Sequence, residues 1–413
     1  MIYDLLLSGA NVIDPSQGIN AIKDVALSDR IIAAVEDKID PNQARQRIDL
    51  NGRILTPGWV DIHAHVYAGA TTWGIKADAH CLATGVTTIV DAGSPGWATF
   101  IGFKEFIADP ARTQTLAFVH ISGIGLAYGP IGEMEDLRYG DPERTACVIQ
   151  NWSDICVGVK VRQAQFQVGS NGIEPLILAN RSAELVGVPV MVHIGAGVPL
   201  PDVLNQMRNG DIVTHCYQGH GDLVTDQDDK VLPEVWEAQK RGVLFDVGHG
   251  GGSFNFEVAR NSLANGFCAD VISTDIHANS VHRTVNSLAD AGSKLMSLGL
   301  SLTEVVERTT TAAATAIGRE KEIGTLRLGT VADLAAFEIT EGEFVYYDCH
   351  RQENQGTQKI EPVLTVRAGT PYRPEDVHEE LMETLRRAKE MSALSGRNFE
   401  HFGWSPDTGG RPR

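Results

Sequence analysis

The sequence contains no run of about 18 apolar residues, so no transmembrane helix is expected. It has no C-x-x-C pair. Its six cysteines (Cys81, Cys147, Cys156, Cys216, Cys268 and Cys349) are scattered, which reads as buried thiols of a reducing compartment and not as a disulfide framework. Basic residues are outnumbered, with 35 Lys and Arg against 53 Asp and Glu and a net charge of −18. That balance argues against nucleic acid or an anionic membrane surface as partner. A small anionic substrate stays compatible with it, because bound divalent ions override net charge locally. The opening stretch MIYDLLLSGANVID has no basic segment before its short apolar run, so no signal peptide is expected and the expected location is cytoplasmic. No G-x-G-x-x-G follows the first strand-like run of the central region, which disfavours a dinucleotide-binding open sheet.

What is present is ordinary in bulk: 413 residues, 43% of them apolar and 21% charged. That is enough chain for a large catalytic domain and a smaller one. The two textures are easy to separate. Residues 1–55 alternate short apolar runs with Ser-Gly, Asp-Pro and Asn-Gly breaks, and a similar texture returns over 322–373. Short strands separated by turn residues predict one small β-sandwich domain assembled from both ends of the chain. Between them, over 56–321, apolar runs recur at 58–65, 86–93, 115–123, 156–162, 189–195, 211–216, 242–249 and 269–276, separated mostly by helix-like stretches. Val- and Ile-rich runs that are apolar on both faces are the pattern of buried parallel strands. Eight of them match a (β/α)8 barrel in count and length. Residues 374–393 predict a charged amphipathic helix, and 394–413 a polar arm.

In such a barrel the active site is built at the carboxyl ends of the strands. The first run ends in GWVDIHAHVY, where His63 and His65 flank one alanine. In a strand they point the same way, toward a shared metal ion or, equally, toward each other or solvent. The remaining strand ends decide for the metal. Lys160 stands on the fourth run, His193 and His215 end the fifth and sixth, His249 ends the seventh, and Asp275 ends the eighth with His277 just beyond.

This pattern resembles the amidohydrolase superfamily of metal-dependent hydrolases, in its binuclear form with a carboxylated lysine. The match rests on His63, His65, Lys160, His193, His215 and Asp275, on the LTPGWVDIHAH entry and on the late GTLRLGTVADLAAFE segment. It extends to about residue 370. The phrases VGVKVR and FDVGHGGGSF are most similar to dihydroorotase-like members known as deacetylases. The resemblance implies two divalent ions, zinc by donor type. His63, His65 and Asp275 would hold the more buried one and His193 and His215 the other, bridged by a CO2-derived carbamate on Lys160. It implies a metal-bridging hydroxide as nucleophile, with Asp275 as the catalytic proton shuttle.

Substrate contacts are less sharply marked. Arg162 shares the face of Lys160 and is a candidate clamp for a substrate carboxylate. His249, His277, Tyr128 and Gly251 are further substrate-binding candidates, with His220 in the HCYQGHGD loop above the second metal position or simply part of that loop. His120 reads as a satisfied barrel residue. The Gly250–Gly252 run lacks a following P-loop lysine, so a lid or a close backbone approach is expected there in place of a phosphate cradle. The expected reaction is deacylation of an N-acyl amino acid or a related acetylated, carboxylate-bearing acid. The alternatives are cyclic-amide opening and, in a different class, a catalytically silent scaffold. A homo-oligomer is compatible with the sequence.

Overall fold

The structure, a computed structural model, describes residues 2–394. The polar arm expected over 394–413 lies, from 395 onward, outside the described residues. No helix among the described residues is long and apolar enough to cross a membrane.

The central region is the barrel. Strands Trp59–Ala64, Val86–Gly96, Gln114–His120, Cys156–Gln163, Val190–Ile194, Ile212–Thr214 and Leu244–Asp246 lie side by side in chain order, each parallel to the one before. The eighth run differs from expectation. It is no regular strand and is held by two parallel single-residue bridges, Asp246–Val271 and Ala64–Ile276, which close the ring. The cause is local: Asp275 has φ of +46°, outside the extended region a ladder needs. Helices such as Pro142–Asn151, Glu174–Val186 and Leu288–Met296 cover the outside. Their apolar faces meet Val159, Val161, Val190 and Val192, the outward residues of the strands.

Inside, the lower barrel is packed with Val60, Ile62, Val90, Leu116, Phe118 and Met191. The helix Thr311–Ala316 plugs that end with Ala313 and Ala314. Simple alternation does not carry the first strand from Ile62 to His63. A register irregularity between Asp61 and Ala64 intervenes, so Ile62 belongs to the lower core while His63 and His65 stand opposite Ala64 and Val66 of the outer core.

The two ends of the chain form a second, eight-stranded sheet. Its N-terminal strands extend to Ile54–Pro57, which pairs with Leu334–Tyr347. Leu5, Leu7, Val12, Leu55, Leu334 and Val366 make its main core. Val377 of the short turn Pro374–Val377 and Leu381 of the helix His378–Leu394 pack against Ala79, Leu82 and Ala83 of helix Ala77–Thr84.

Candidate active site

The polar residues of the strand ends converge at the carboxyl end of the barrel. The Nε2 atoms of His63 and His65 lie 3.5 and 3.1 Å from Asp275 Oδ1. Among the described residues, these three form the one group of His, Cys, Asp or Glu side chains whose ligand atoms all lie within 4.8 Å of one another. Lys160 Nζ is 3.4 Å from His63 Nε2. The His215 ring stands 5.1 Å from that of His63 and 4.4 Å from that of His193. The six side chains therefore lie together at this end of the barrel.

Hydrogen bonds behind the rings fix which nitrogen faces inward. Thr214 Oγ1 donates to Asp246 Oδ2 at 2.7 Å. It is therefore left to accept from His63 Nδ1, 2.9 Å away. His65 repeats the arrangement, with Nδ1 2.9 Å from Ser94 Oγ, which in turn hydrogen-bonds Asp91. His215 Nδ1 donates to the Gly248 carbonyl at 2.6 Å. Each of these three rings thus carries its proton on Nδ1 and turns the Nε2 lone pair to the centre, the orientation a metal ligand needs.

Charge and strain agree with that reading. Burial holds the imidazoles neutral, with His65 pushed down to about 3 and His215 to about 4. His63 and His193 also lie well below the ordinary histidine value, first through burial. Asp275 Oδ1 is buried without a hydrogen-bond partner, facing two imidazole lone pairs. Three acceptors aimed at one another repel unless a cation sits among them, so the donor set fits a divalent ion. Burial also drives the Lys160 ammonium down to about 7, against the pull of Asp275 and Asp246. His215 and Asp275 adopt positive φ, +72° and +46°, a conformation that non-glycine residues keep only where surroundings enforce it. The backbone makes room in two places. A Cβ on Gly93 would stand 2.6 Å from the Lys160 side chain, and one on Gly250 would stand 2.3 Å from Asp275 Oδ2.

A deacetylase of Agrobacterium fabrum is 36% identical over 338 residues, spanning 81% of this chain and 83% of its own. A deacetylase of Enterococcus faecalis is 34% identical over 378 residues, spanning 90% and 100%. This chain belongs to the amidohydrolase superfamily, in its dihydroorotase-like deacetylase branch. Two crystal structures match the amidohydrolase along nearly its whole length. One, of an adenine deaminase, has a TM-score of 0.85 at 33% identity and covers 90% of this chain and 100% of its own. The other, of a dihydroorotase, has a TM-score of 0.82 at 32% identity and covers 89% and 97%. No protein-family model matches the chain. The protein is a hydrolase acting on carbon–nitrogen bonds.

The substrate-side candidates fall differently in the amidohydrolase. Arg162, expected to clamp a substrate carboxylate, donates from Nε and Nη2 to Glu133 at 2.6 Å each. Glu133 comes from the loop after the third strand and is 3% exposed. Although burial opposes it, Arg162 and His120 hold the Glu133 carboxyl at about 2. His120 lies in the barrel wall, its Nδ1 accepting from Ser122 N. His249 turns from the centre, stacking on Phe254 with its Nε2 3.2 Å from Lys294 Nζ. The His277 ring lies 5.2 Å from Trp73 and 6.1 Å from His65, with Gly251 alongside. Tyr128 is 59% exposed on its loop. Asp91, Asp246, Thr214, Ser94 and Glu133 were not singled out by the sequence. For the two aspartates the signal was there: each is an acid inside an apolar run, in IVDAG and LFDVG.

Proposed function

We propose that this hydrolase deacylates an N-acyl amino acid or a related acetylated carboxylic acid. The observation that carries the reading is Asp275 Oδ1, buried and unpartnered between the inward nitrogens of His63 and His65. His63, His65 and Asp275 would hold one divalent ion and His193 and His215 a second, zinc by the nature of the donors. When bound, such ions supply Lewis acidity and acidify a water molecule. Lys160 joins them as a carbamate: its neutral amine adds to CO2, an N–C bond forms and one proton leaves. Depression of the ammonium to about 7 makes that amine abundant at neutral pH.

The chain's own part in the reaction is proton transfer and exclusion of water. Asp275 accepts the proton of the attacking water as it adds to the acyl carbon, then delivers it to the departing nitrogen. Burial of His63, His65, Lys160 and His215, each no more than 5% exposed, limits the water that can reach the reacting atoms.

The relatives named deacetylase, at 34–36% identity, support acyl cleavage over ring opening. The dihydroorotase structure at 32% identity supports cyclic-amide hydrolysis as the second reading. Zinc-loaded protein assayed against N-acetyl amino acids, dihydroorotate, hydantoins and adenine separates them. Hydrolysis of the acetylated set is expected. Turnover of the cyclic amides alone would replace this reading with the second, and close to one ion per chain would remove the binuclear centre.

A further inference from the structure

The small domain sends one long hairpin along the flank of the barrel. Its strands, Leu334–Tyr347 and Glu353–Arg367, pair antiparallel from Leu334–Val366 out to Tyr347–Glu353. The root pairs with Ile54–Pro57, just before the first barrel strand. The outer half lies on the helix Leu288–Met296 and the residues after it, where Ile360 N donates to Ser293 Oγ and Asn354 Nδ2 to Ser297 Oγ.

The tip of the hairpin is docked at the catalytic end. Asp348 Oδ2 accepts from Phe256 N at 3.0 Å, and Cys349 N donates to Phe254 O at 3.1 Å. The Cys349 thiol lies 3.5 Å from the carbonyls of His249 and Gly250. That loop is the one where a Cβ on Gly250 would stand 2.3 Å from Asp275 Oδ2. Asp348 Oδ1 also accepts from His350 N and Gln352 N, at 2.7 and 2.9 Å, which fixes the turn.

The fixed turn delivers His350 to the mouth. Its Nε2 stands 2.7 Å from where a Gly219 Cβ would be, and its ring is 6.3 Å from that of His220. His220 stands over the same glycine loop, where a Cβ on Gly252 would lie 4.0 Å from its ring. Both rings are exposed. Meanwhile Arg162, the cation nearest Lys160 on its strand, is already paired with a carboxylate.

We propose that His350, carried to the barrel mouth by the small domain's hairpin, is a specificity-determining residue that binds the substrate's carboxylate together with His220. The assignment rests on the proposed hydrolysis of a carboxylate-bearing amide. An imidazole N–H donating to a carboxylate makes a charge-assisted bond, and its loss is expected to weaken binding about tenfold.

The test uses the full zinc-loaded chain as wild type, His350→Ala and His350→Gln. N-acetyl amino acids are compared with their uncharged carboxamides. In His350→Ala the preference for carboxylate over carboxamide is expected to fall about tenfold, through KM and not kcat, with metal content and Tm as in wild type. His350→Gln, which keeps an N–H donor, restores part of the preference. An unchanged preference in His350→Ala overturns the assignment and leaves the proposed reaction standing. Calorimetric binding of succinate needs no turnover and covers the case in which no amide is hydrolysed. Wild type is expected to bind it about tenfold more tightly than His350→Ala. Equal affinities, or no binding by wild type, overturn the role of His350 independently of the reaction.

Discussion

The lower end of the barrel is filled by Val60, Ile62, Val90, Leu116 and Phe118 and closed by Ala313 and Ala314. Toward the carboxyl ends of the barrel strands stand His63, His65, Lys160 and His193, which cluster in a buried space. The lower end is stabilised by removing apolar surface from water, and it asks for volume and shape alone. The upper end holds neutralised imidazoles, a depressed lysine and an unpartnered carboxylate oxygen. Two of its residues, His215 and Asp275, are also held at positive φ. Those features oppose folding locally, and only ion binding and catalysis give them a purpose. One end therefore secures the fold that the other end strains.

Substitutions at the two ends should separate activity from stability. The largest effect is expected at Asp275. Asp275→Asn keeps the size of the side chain but removes the proposed proton acceptor and metal donor, so kcat should fall by about 10³-fold or more. Asparagine tolerates positive φ at least as well as aspartate, and a buried charge is lost, so the thermal midpoint of the metal-free protein should not drop. Wild-type-like kcat would dismiss the proton-transfer role.

Phe118→Ala probes the lower end and should invert the outcome. Emptying a fully buried ring site is expected to destabilise the protein by about 3–5 kcal/mol, read by denaturant unfolding. The kcat per folded molecule should hardly move. A large loss of kcat at unchanged stability would mean that the two ends are not independent.

Glu133 sharpens the comparison through pH. Its folded carboxyl sits at about 2 against an ordinary 4.5, so the ionised form is favoured in the native state. The stabilisation is therefore complete above pH 4.5 and is lost as pH falls toward 2. Its size is on the order of 3 kcal/mol. Glu133→Gln should lower stability near neutral pH, with the deficit against wild type disappearing in acid. A deficit that is the same at both ends of a pH series of melts would show that Glu133 acts through shape and not charge.

How much of this was legible in the sequence depends on whether the signal was local. His63, His65, Lys160, His193, His215 and Asp275 are polar residues inside or at the ends of apolar runs, so their positions and their common site could be read. The eighth strand could be read in place but not in form, because the bridges that hold it depend on the φ of Asp275. His249 ends a strand as the proposed ligands do, yet its ring turns away toward Phe254 and Lys294. Gly248 and Gly250 on either side of it, at φ of +46° and +58°, redirect the backbone there. The partner of Arg162 lies 29 residues away in an irregular loop, and no periodicity announces such a pairing. The hairpin tip at the mouth depends on how two domains pack, which is further still from any local pattern.

The smallest expected effect concerns the two rings of the opening H-x-H motif, which are held by matching relays. His63 leans on Thr214 and Asp246, and His65 on Ser94 and Asp91. Asp246→Asn or Asp91→Asn leaves every proposed metal donor in place and disturbs only what orients one of them. Each should weaken metal affinity by about 10- to 100-fold in a chelator competition. Unchanged affinity in both would reduce the relays to packing. Within one relay the parts act through the same ring, so Thr214→Val combined with Asp246→Asn should do little more than the worse single change. Across relays, Asp246→Asn with Asp91→Asn loosens both nitrogens that one strand end offers, and there the losses should multiply.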